Sequence, residues 1–150
     1  MRKAANPHVL NLAPPPNLVP EWFAPYPAYA LAKYAMSIYA MSMAAEFKHE
    51  GIAFNTLWPK TLIDTAAVRN IVDANGLMRS RKPETMADAA WHILTQPSRA
   101  CTGQHFIDEE VLIQAGVTDL RPYRAVPGDT ALEIDLFVPT DLKTPAGVLI

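Results

Sequence analysis

Apolar residues in this chain come in blocks separated by prolines and glycines. His8-Val9-Leu10-Asn11-Leu12 is a short, nearly continuous apolar run between Pro7 and Pro14-Pro15-Pro16. Apolarity without alternation predicts a strand buried on both faces, as in a parallel sheet. The three prolines cannot continue a ladder, so the chain must leave the sheet there. Residues 27–49 then read as one long helix, apolar nearly all the way round. Leu31, Ala35, Ile38, Ser42 and Ala45 make one face, and Met36, Tyr39, Met43 and Phe47 another. Such a helix needs cover on two sides, and Gly51 supplies its stop. Residues 52–57 predict the next strand. Two strands flanking a helix make a βαβ unit, parallel and right-handed in nearly all cases. Ligands of such units bind at the carboxyl ends of the strands.

Further along the signals are weaker. Residues 65–74 suit a short helix ended by Asn75-Gly76. Pro83 suits a first helical turn, and residues 84–94 continue it with Met86, Ala89, Ala90, Ile93 and Leu94 inward. Residues 102–108 predict a last strand. From Gly116 the pattern fades under repeated prolines. Leu132, Ile134 and Leu136 alternate with Glu133 and Asp135, which suits one short edge strand. The rest reads as an extended tail. Residues 1–6 look like the last turn of a helix.

Composition narrows the class. With 150 residues, 50% hydrophobic and 19% charged, the chain can build one domain with a real core. A net charge of −2 gives no electrostatic case for nucleic acid or an acidic membrane. The single cysteine, Cys101, cannot pair internally, which makes a reducing, cytoplasmic setting the default. The N-terminus lacks the apolar stretch of a signal peptide. The longest uncharged apolar run, residues 34–45, is too short to span a bilayer. His8, His49, His92 and His105 show no metal-ligand spacing with one another or with Cys101.

Tyr29 and Lys33 are the candidate chemistry. Four residues apart on a helix, they stand on one face. A phenol titrates near ~10 in water, and an ammonium beside it favours the phenolate and draws that value toward neutrality. The pair reads either as a proton-transfer device or as a half-buried tyrosine beside a solvated lysine. The loop of residues 17–27, with Trp22, Phe23 and Tyr26, reads either as a pocket wall or as packing onto its own domain. The basic run Arg79-Ser80-Arg81-Lys82 reads as a solvated loop or as a contact for a phosphate or an acidic substrate.

Several stretches together carry a resemblance. They are Asn11-Leu12-Ala13-Pro14-Pro15, Ala28-Tyr29-Ala30-Leu31-Ala32-Lys33-Tyr34, Asn55-Thr56-Leu57-Trp58-Pro59-Lys60-Thr61 and Gly103-Gln104-His105-Phe106-Ile107-Asp108-Glu109. Their order resembles the C-terminal half of the short-chain dehydrogenase/reductase family, in its hydroxysteroid dehydrogenase-like branch. The resemblance implies an α/β fold: half of a Rossmann-type, doubly wound parallel sheet, with three strands, flanking helices and an extended C-terminal tail. Residues 1–115 would be a partial domain lacking the dinucleotide-binding half, and residues 116–150 an irregular tail. The chain would begin near the fifth strand of the family's sheet. The six glycines, at 51, 76, 103, 116, 128 and 147, offer no glycine-rich phosphate turn.

For function, the resemblance implies NAD or NADP as cofactor, no metal, and a small carbonyl or alcohol substrate. Tyr29 and Lys33 would be the catalytic pair. Tyr29, Lys33, Pro59, Thr61, Leu62 and Thr65 would bind the cofactor: Lys33 the nicotinamide ribose, Thr61 and Leu62 the carboxamide, Thr65 the pyrophosphate. The pattern departs in places. Ala13 and Pro14 stand where the family has a substrate-binding serine, Lys60 stands where it has a glycine, and the threonine that follows comes one residue later. A helix covered by its copy in a partner subunit would explain the apolar helix faces, so self-association through the Tyr29 and Lys33 helix is expected. The readings are therefore an oxidoreductase that is truncated and inactive alone, a non-catalytic remnant or interaction module pairing through its helix and strand edge, or the product of a truncated reading frame.

Overall fold

The computed structural model describes residues 1–72, 75–139 and 141–150. Strand β1 (His8–Leu12) leads through a short helix α1 (Pro20–Phe23) into α2 (Pro27–Glu46) and back along β2 (Ala53–Trp58). Helix α3 (Glu84–Leu94), strand β3 (His105–Ile107) and helix α4 (Asp108–Gln114) follow. The strands form a three-stranded parallel sheet in the order β1-β2-β3, the α/β Rossmann-type arrangement. The register of β1 on β2 runs from His8 opposite Ala53 to Leu12 opposite Leu57. By contacts the chain divides into two compact units: Met1–Trp58 with Ala90–Phe106, and Pro59–Ala89 with Ile107–Ile150.

In the first unit, α2 packs on β1 and β2. The face it buries is Ala30, Tyr34, Ser37, Ala40 and Ala44. This differs from both apolar faces read in the sequence. Leu31 and Ile38, from the first of those faces, are 75% and 59% exposed. The reason is size: small side chains let the helix backbone approach the sheet, and bulk is then left outside. Phe47 tilts against Phe54 of β2, ring centroids 5.6 Å apart. The α-helix ends at Glu46, a 3-10 turn (Lys48–Glu50) follows, and Gly51 closes it in the left-handed conformation, φ 71°.

Strand β3 is shorter than the expected 102–108, and before it side chains share the pairing to β2 with the backbone. The buried Asn55 amide donates to the Cys101 carbonyl at 2.8 Å, and its oxygen accepts from the Gln104 amide at 2.9 Å. The Phe54 amide donates to the Thr102 hydroxyl at 3.1 Å. Backbone bonds run beside this clip, the Gly103 amide donating to the Phe54 carbonyl at 2.9 Å and the Thr56 amide to the Gln104 carbonyl at 3.0 Å. Residues 1–6, read as the end of a helix, form a turn in which the Ala4 amide donates to the Met1 carbonyl.

In the second unit, the chain after β2 is held from both sides. Thr61 pairs antiparallel with Ile134, Ile63 pairs parallel with Arg81, and Arg81 pairs antiparallel with Arg124. The edge strand expected around Leu132 to Leu136 is thus reduced to one isolated bridge. Residues 66 and 67 begin the expected helix, which continues as a π-helix (Val68–Val72). Its expected last residues, Asp73 and Ala74, lie outside the described residues. Helix α4 has no counterpart in the periodicity analysis, although Asp108, Glu109 and Glu110 form the acidic first turn that favours a helix start. Among the described residues, 116–150 hold no α-helix or strand, yet Leu120, Phe137 and Val138 are buried.

The Asn55 clip generates a stability expectation. Asn55→Ala removes two part-buried hydrogen bonds, to the Cys101 carbonyl and from the Gln104 amide, each worth about 0.5–1.5 kcal/mol. Urea denaturation should show a lower midpoint with an unchanged slope. A variant as stable as the parent would mean that the β2 to β3 clip contributes nothing.

Candidate functional site

The prolines after β1 leave that loop short of amide donors, so its carbonyls need partners from elsewhere. Side chains on one flank of α2 supply them. The Lys33 ammonium donates to the Leu12 carbonyl at 3.1 Å. The Ser37 hydroxyl donates to the Pro14 carbonyl at 2.6 Å, and the Tyr34 hydroxyl to the Asn17 carbonyl at 2.7 Å. Leu12 ends β1 and Trp58 ends β2. The Lys33 ammonium lies 5.3 Å from the Trp58 ring centroid and 5.9 Å from that of Tyr29. Lys33 therefore sits at the carboxyl end of the parallel pair, with Tyr29 one turn earlier on the same face. Tyr29 is 44% exposed.

Ala13, where a serine is absent, is fully buried. Ser37 does not replace that serine, since its hydroxyl is itself buried and bonded to Pro14. Of the aromatic loop, Phe23 meets Tyr34 edge-on, centroids 5.1 Å apart. Phe23, Tyr34 and Leu31 line an apolar cavity of about 260 Å³. At about 100° per residue, this flank of α2 lies roughly a third of a turn from Tyr29 and Lys33. Phe23 thus packs the loop onto its own helix, and Tyr26 stays exposed.

The remaining sequence-predicted residues, Pro59, Thr61, Leu62 and Thr65, belong to the second unit. The Leu62 amide donates to the Glu133 carbonyl at 2.9 Å, and the Leu62 carbonyl accepts from the Arg81 amide at 2.8 Å. The Thr61 hydroxyl is buried and has no hydrogen-bond partner. Thr65 is exposed, and its hydroxyl accepts from the Val68 amide at 3.4 Å.

The same unit holds a buried ionic cluster that the sequence reading missed. Arg81 is fully buried, and its Nε lies 2.6 Å from Glu109 Oε1. The Lys60 ammonium lies 3.3 Å from Glu109 Oε2 and donates to the Thr144 hydroxyl at 2.8 Å. Arg81 also donates to the Leu120 carbonyl at 2.8 Å. The basic run is therefore no solvated loop at its centre, nor is Arg81 free for a phosphate. Only contacts distant in sequence reveal this, because buried arginine and exposed arginine look alike in one dimension. Asp108 is also fully buried, and its Oδ1 accepts from the Lys60 amide at 2.8 Å and the Glu109 amide at 2.7 Å. Its Oδ2 has no partner. Burial pushes the Asp108 carboxyl up to about 7, against the two amides, which favour the carboxylate. Among the described residues, no group of His, Cys, Asp or Glu could hold a metal ion. No helix among them is long and apolar enough to cross a membrane.

Comparison with known proteins agrees with this architecture. No family model matches the chain. It is, however, 44% identical over 149 residues to hydroxysteroid dehydrogenase-like protein 2 of Xenopus laevis, covering 99% of this chain and 35% of that protein. Against the Danio rerio protein of the same name, identity is 46% over 143 residues, covering 93% and 34%. The crystal structure of a short chain dehydrogenase from Mycobacterium thermoresistibile superposes with a TM-score of 0.84 at 46% identity, covering 99% of this chain and 51% of that one. The chain belongs to the short-chain dehydrogenase/reductase family. It falls in the hydroxysteroid dehydrogenase-like branch and spans about a third of the length of the curated relatives, and about half of the solved chain.

Tyr29 and Lys33 lie on one helix face, and Lys60 stands where the family resemblance leads one to expect a glycine. The structure gives that lysine a use: its side chain is turned into the Glu109 cluster. A glycine there would leave Glu109 with Arg81 alone. Removing one partner from such a buried set costs about 3–5 kcal/mol.

Asp108 generates a pH expectation. Its folded-state value lies above the ordinary carboxylate value, so between about pH 4 and about pH 7 the folded chain holds a proton that the unfolded chain releases. Stability from this group therefore falls as pH rises through that window, by up to about 1.4 kcal/mol per pH unit. Asp108→Asn mimics the protonated form and should remove the slope. Denaturation of both proteins across the window should give curves that separate toward high pH, the variant being more stable there. Parallel curves would contradict the assignment.

Proposed function

We propose that the chain carries the acid/base part of an NAD(P)-dependent oxidoreductase acting on a small carbonyl or alcohol. The observation that carries this reading is the Lys33 ammonium, held by the Leu12 carbonyl at the carboxyl end of β1, with the exposed Tyr29 one turn away. Tyr29 would give a proton to the carbonyl oxygen in reduction and take it back in oxidation. Lys33 would favour the phenolate electrostatically and hydrogen-bond the nicotinamide ribose. Its fixed donation to Leu12 pre-orients it, so less rotamer freedom is lost when a ligand arrives.

A nicotinamide group would supply the hydride acceptor or donor. The residues that would hold it are Tyr29, Lys33, Pro59, Thr61, Leu62 and Thr65. The fit is partial. Thr61 offers a buried hydroxyl without a partner, which suits a polar ligand atom, but the Leu62 backbone is already engaged. The sequence holds no glycine-rich turn for the pyrophosphate. With Ala13 and Pro14 in place of the serine, a hydrogen-bond donor of a kind worth a few kcal/mol at oxyanion sites is missing.

We therefore expect no turnover from this chain alone. Titration with NADH and NADPH, followed through Trp22 and Trp58 fluorescence, should give no saturable binding at micromolar cofactor. Reduction of any carbonyl in a panel, abolished by Tyr29→Phe, would establish the catalytic reading and refute the expected inactivity.

One observation favours a second reading, an association module. Leu31, Ile38 and Tyr39 on the outer side of α2 are 75%, 59% and 65% exposed. Contiguous exposed apolar surface of this kind marks an interaction site. A second copy of the same helix is the partner we propose. Sedimentation velocity should reveal a dimer or larger species that Ile38→Glu dissociates. A monomeric parent would defeat this reading.

A further inference from the structure

The segment after β2 is covered by part of the chain's own C-terminal region. Residues 133–135 lie antiparallel beside Lys60, Thr61 and Leu62. The Leu62 amide donates to the Glu133 carbonyl at 2.9 Å, and the Asp135 amide donates to the Lys60 carbonyl at 3.0 Å. The Glu133 amide donates to the Arg79 carbonyl at 3.0 Å, and an ion pair at 2.5 Å joins the Arg79 and Glu133 side chains. Beneath this cover the Thr61 hydroxyl is buried without a partner. Buried hydroxyls are normally bonded, so a lone one marks a place where a ligand atom or water belongs.

The covering segment is tied down by its backbone more than by burial. Ile134 and Leu136 remain 38% and 40% exposed, whereas Phe137 and Val138, just beyond, are 1% and 2% exposed. At its other end Gly128 has φ 140°, which few other residues adopt, and open space around it. The segment therefore has a pivot before it, a buried anchor after it, and a half-exposed apolar side chain at its centre. Those are the features of a low-stability element that opens locally.

We propose that residues 133–135 form an autoinhibitory strap that must lift from Thr61 and Leu62 before a carboxamide-bearing ligand, such as nicotinamide, can engage them. This rests on the cofactor reading for the ligand's identity, but not for the strap's motion. Lifting frees the Leu62 amide as donor and the Lys60 carbonyl as acceptor, beside the Thr61 hydroxyl. A planar amide presents the complementary acceptor and donor. The strap and the ligand then compete for the same backbone groups, and whatever stabilises the strap weakens binding.

Two measurements on the full chain test this separately. Hydrogen exchange resolved to single amides reads the strap without any ligand. The Leu62, Glu133 and Asp135 amides should exchange together, at least ten-fold faster than those of the β1 to β2 ladder. Asp135→Pro, which removes one strap donor, should speed Leu62 further. Protection of Leu62 equal to that of the ladder would overturn the strap. The second measurement uses NADH with the double variant Thr61→Cys, Ile134→Cys, oxidised and then reduced. These facing positions are a non-hydrogen-bonded antiparallel pair, close enough for a disulfide. At millimolar NADH, above the micromolar range in which the parent chain is not expected to saturate, the reduced form should bind at least ten-fold more tightly than the oxidised form; both lack the Thr61 hydroxyl, so their ratio reads the strap and not that contact. Equal binding by both forms would overturn the competition. Binding by neither form, nor by Asp135→Pro, would defeat the cofactor reading and with it the competition, leaving exchange to decide the strap alone.

Discussion

Two adjacent parallel strands cannot be joined by a tight turn, and that constraint organises the first half of this chain. After β1 the chain has to travel back the full length of the sheet before β2 can begin, and α2 is that return path. The crossover fixes where its first turns fall: beside the carboxyl ends of the strands, where carbonyls emerge without a ladder partner. The Lys33 ammonium meets one such carbonyl, that of Leu12, because the helix is laid down there. The proline-rich loop deepens the dependence. It leaves the carbonyls of Pro14 and Asn17 to the hydroxyls of Ser37 and Tyr34. The helix that carries the candidate acid/base pair thus also satisfies the loop in front of it, and one geometry serves both.

The second unit is organised by charge. Lys60, Arg81 and Glu109 come from three separate stretches and meet where water is excluded. Coulomb attraction is strong there, but desolvation opposes it, so each member depends on the others. Asp108 sits beside them with one oxygen bonded to two amides and the other unpartnered. The cluster joins the segment following β2 to the start of α4 and to residues 80–81. At position 60 a lysine contributes a buried cation to this cluster. The segment's backbone is correspondingly full: Leu62 is bonded through both its amide and its carbonyl.

These two features bear on function in different ways. At β1 and β2 the groups are pre-positioned and partly open to solvent. After β2 they are closed off by the chain's own bonds. Catalysis by proton transfer asks only that Tyr29 and Lys33 be held and reachable. Holding a large dinucleotide asks for a glycine-rich turn, and the six glycines of this sequence form none. The outward apolar face of α2 adds a further demand, because leaving Leu31, Ile38 and Tyr39 in water forgoes about 25 cal/mol per Å² of burial.

The sequence by itself determined β1, the long helix and β2, and their parallel order. Each of these is a local consequence of composition: unbroken apolar runs, prolines that end them, a glycine that stops the helix. It also determined that Tyr29 and Lys33 share a helix face, since the α-helical period fixes that once the helix forms. Tertiary structure decided the rest. Which side of α2 lies on the sheet depends on how closely two backbones approach, and alanines won over the larger residues. Whether Arg81 is a surface charge or a buried one depends on Glu109, far along the chain. The approach to β3 involves the Asn55 side chain, which bonds Cys101 and Gln104 beside the backbone ladder. Whether Leu62 is available depends on Glu133, with which it shares no sequence signal. In every such case the deciding partner is remote in sequence, and periodicity reads only neighbours.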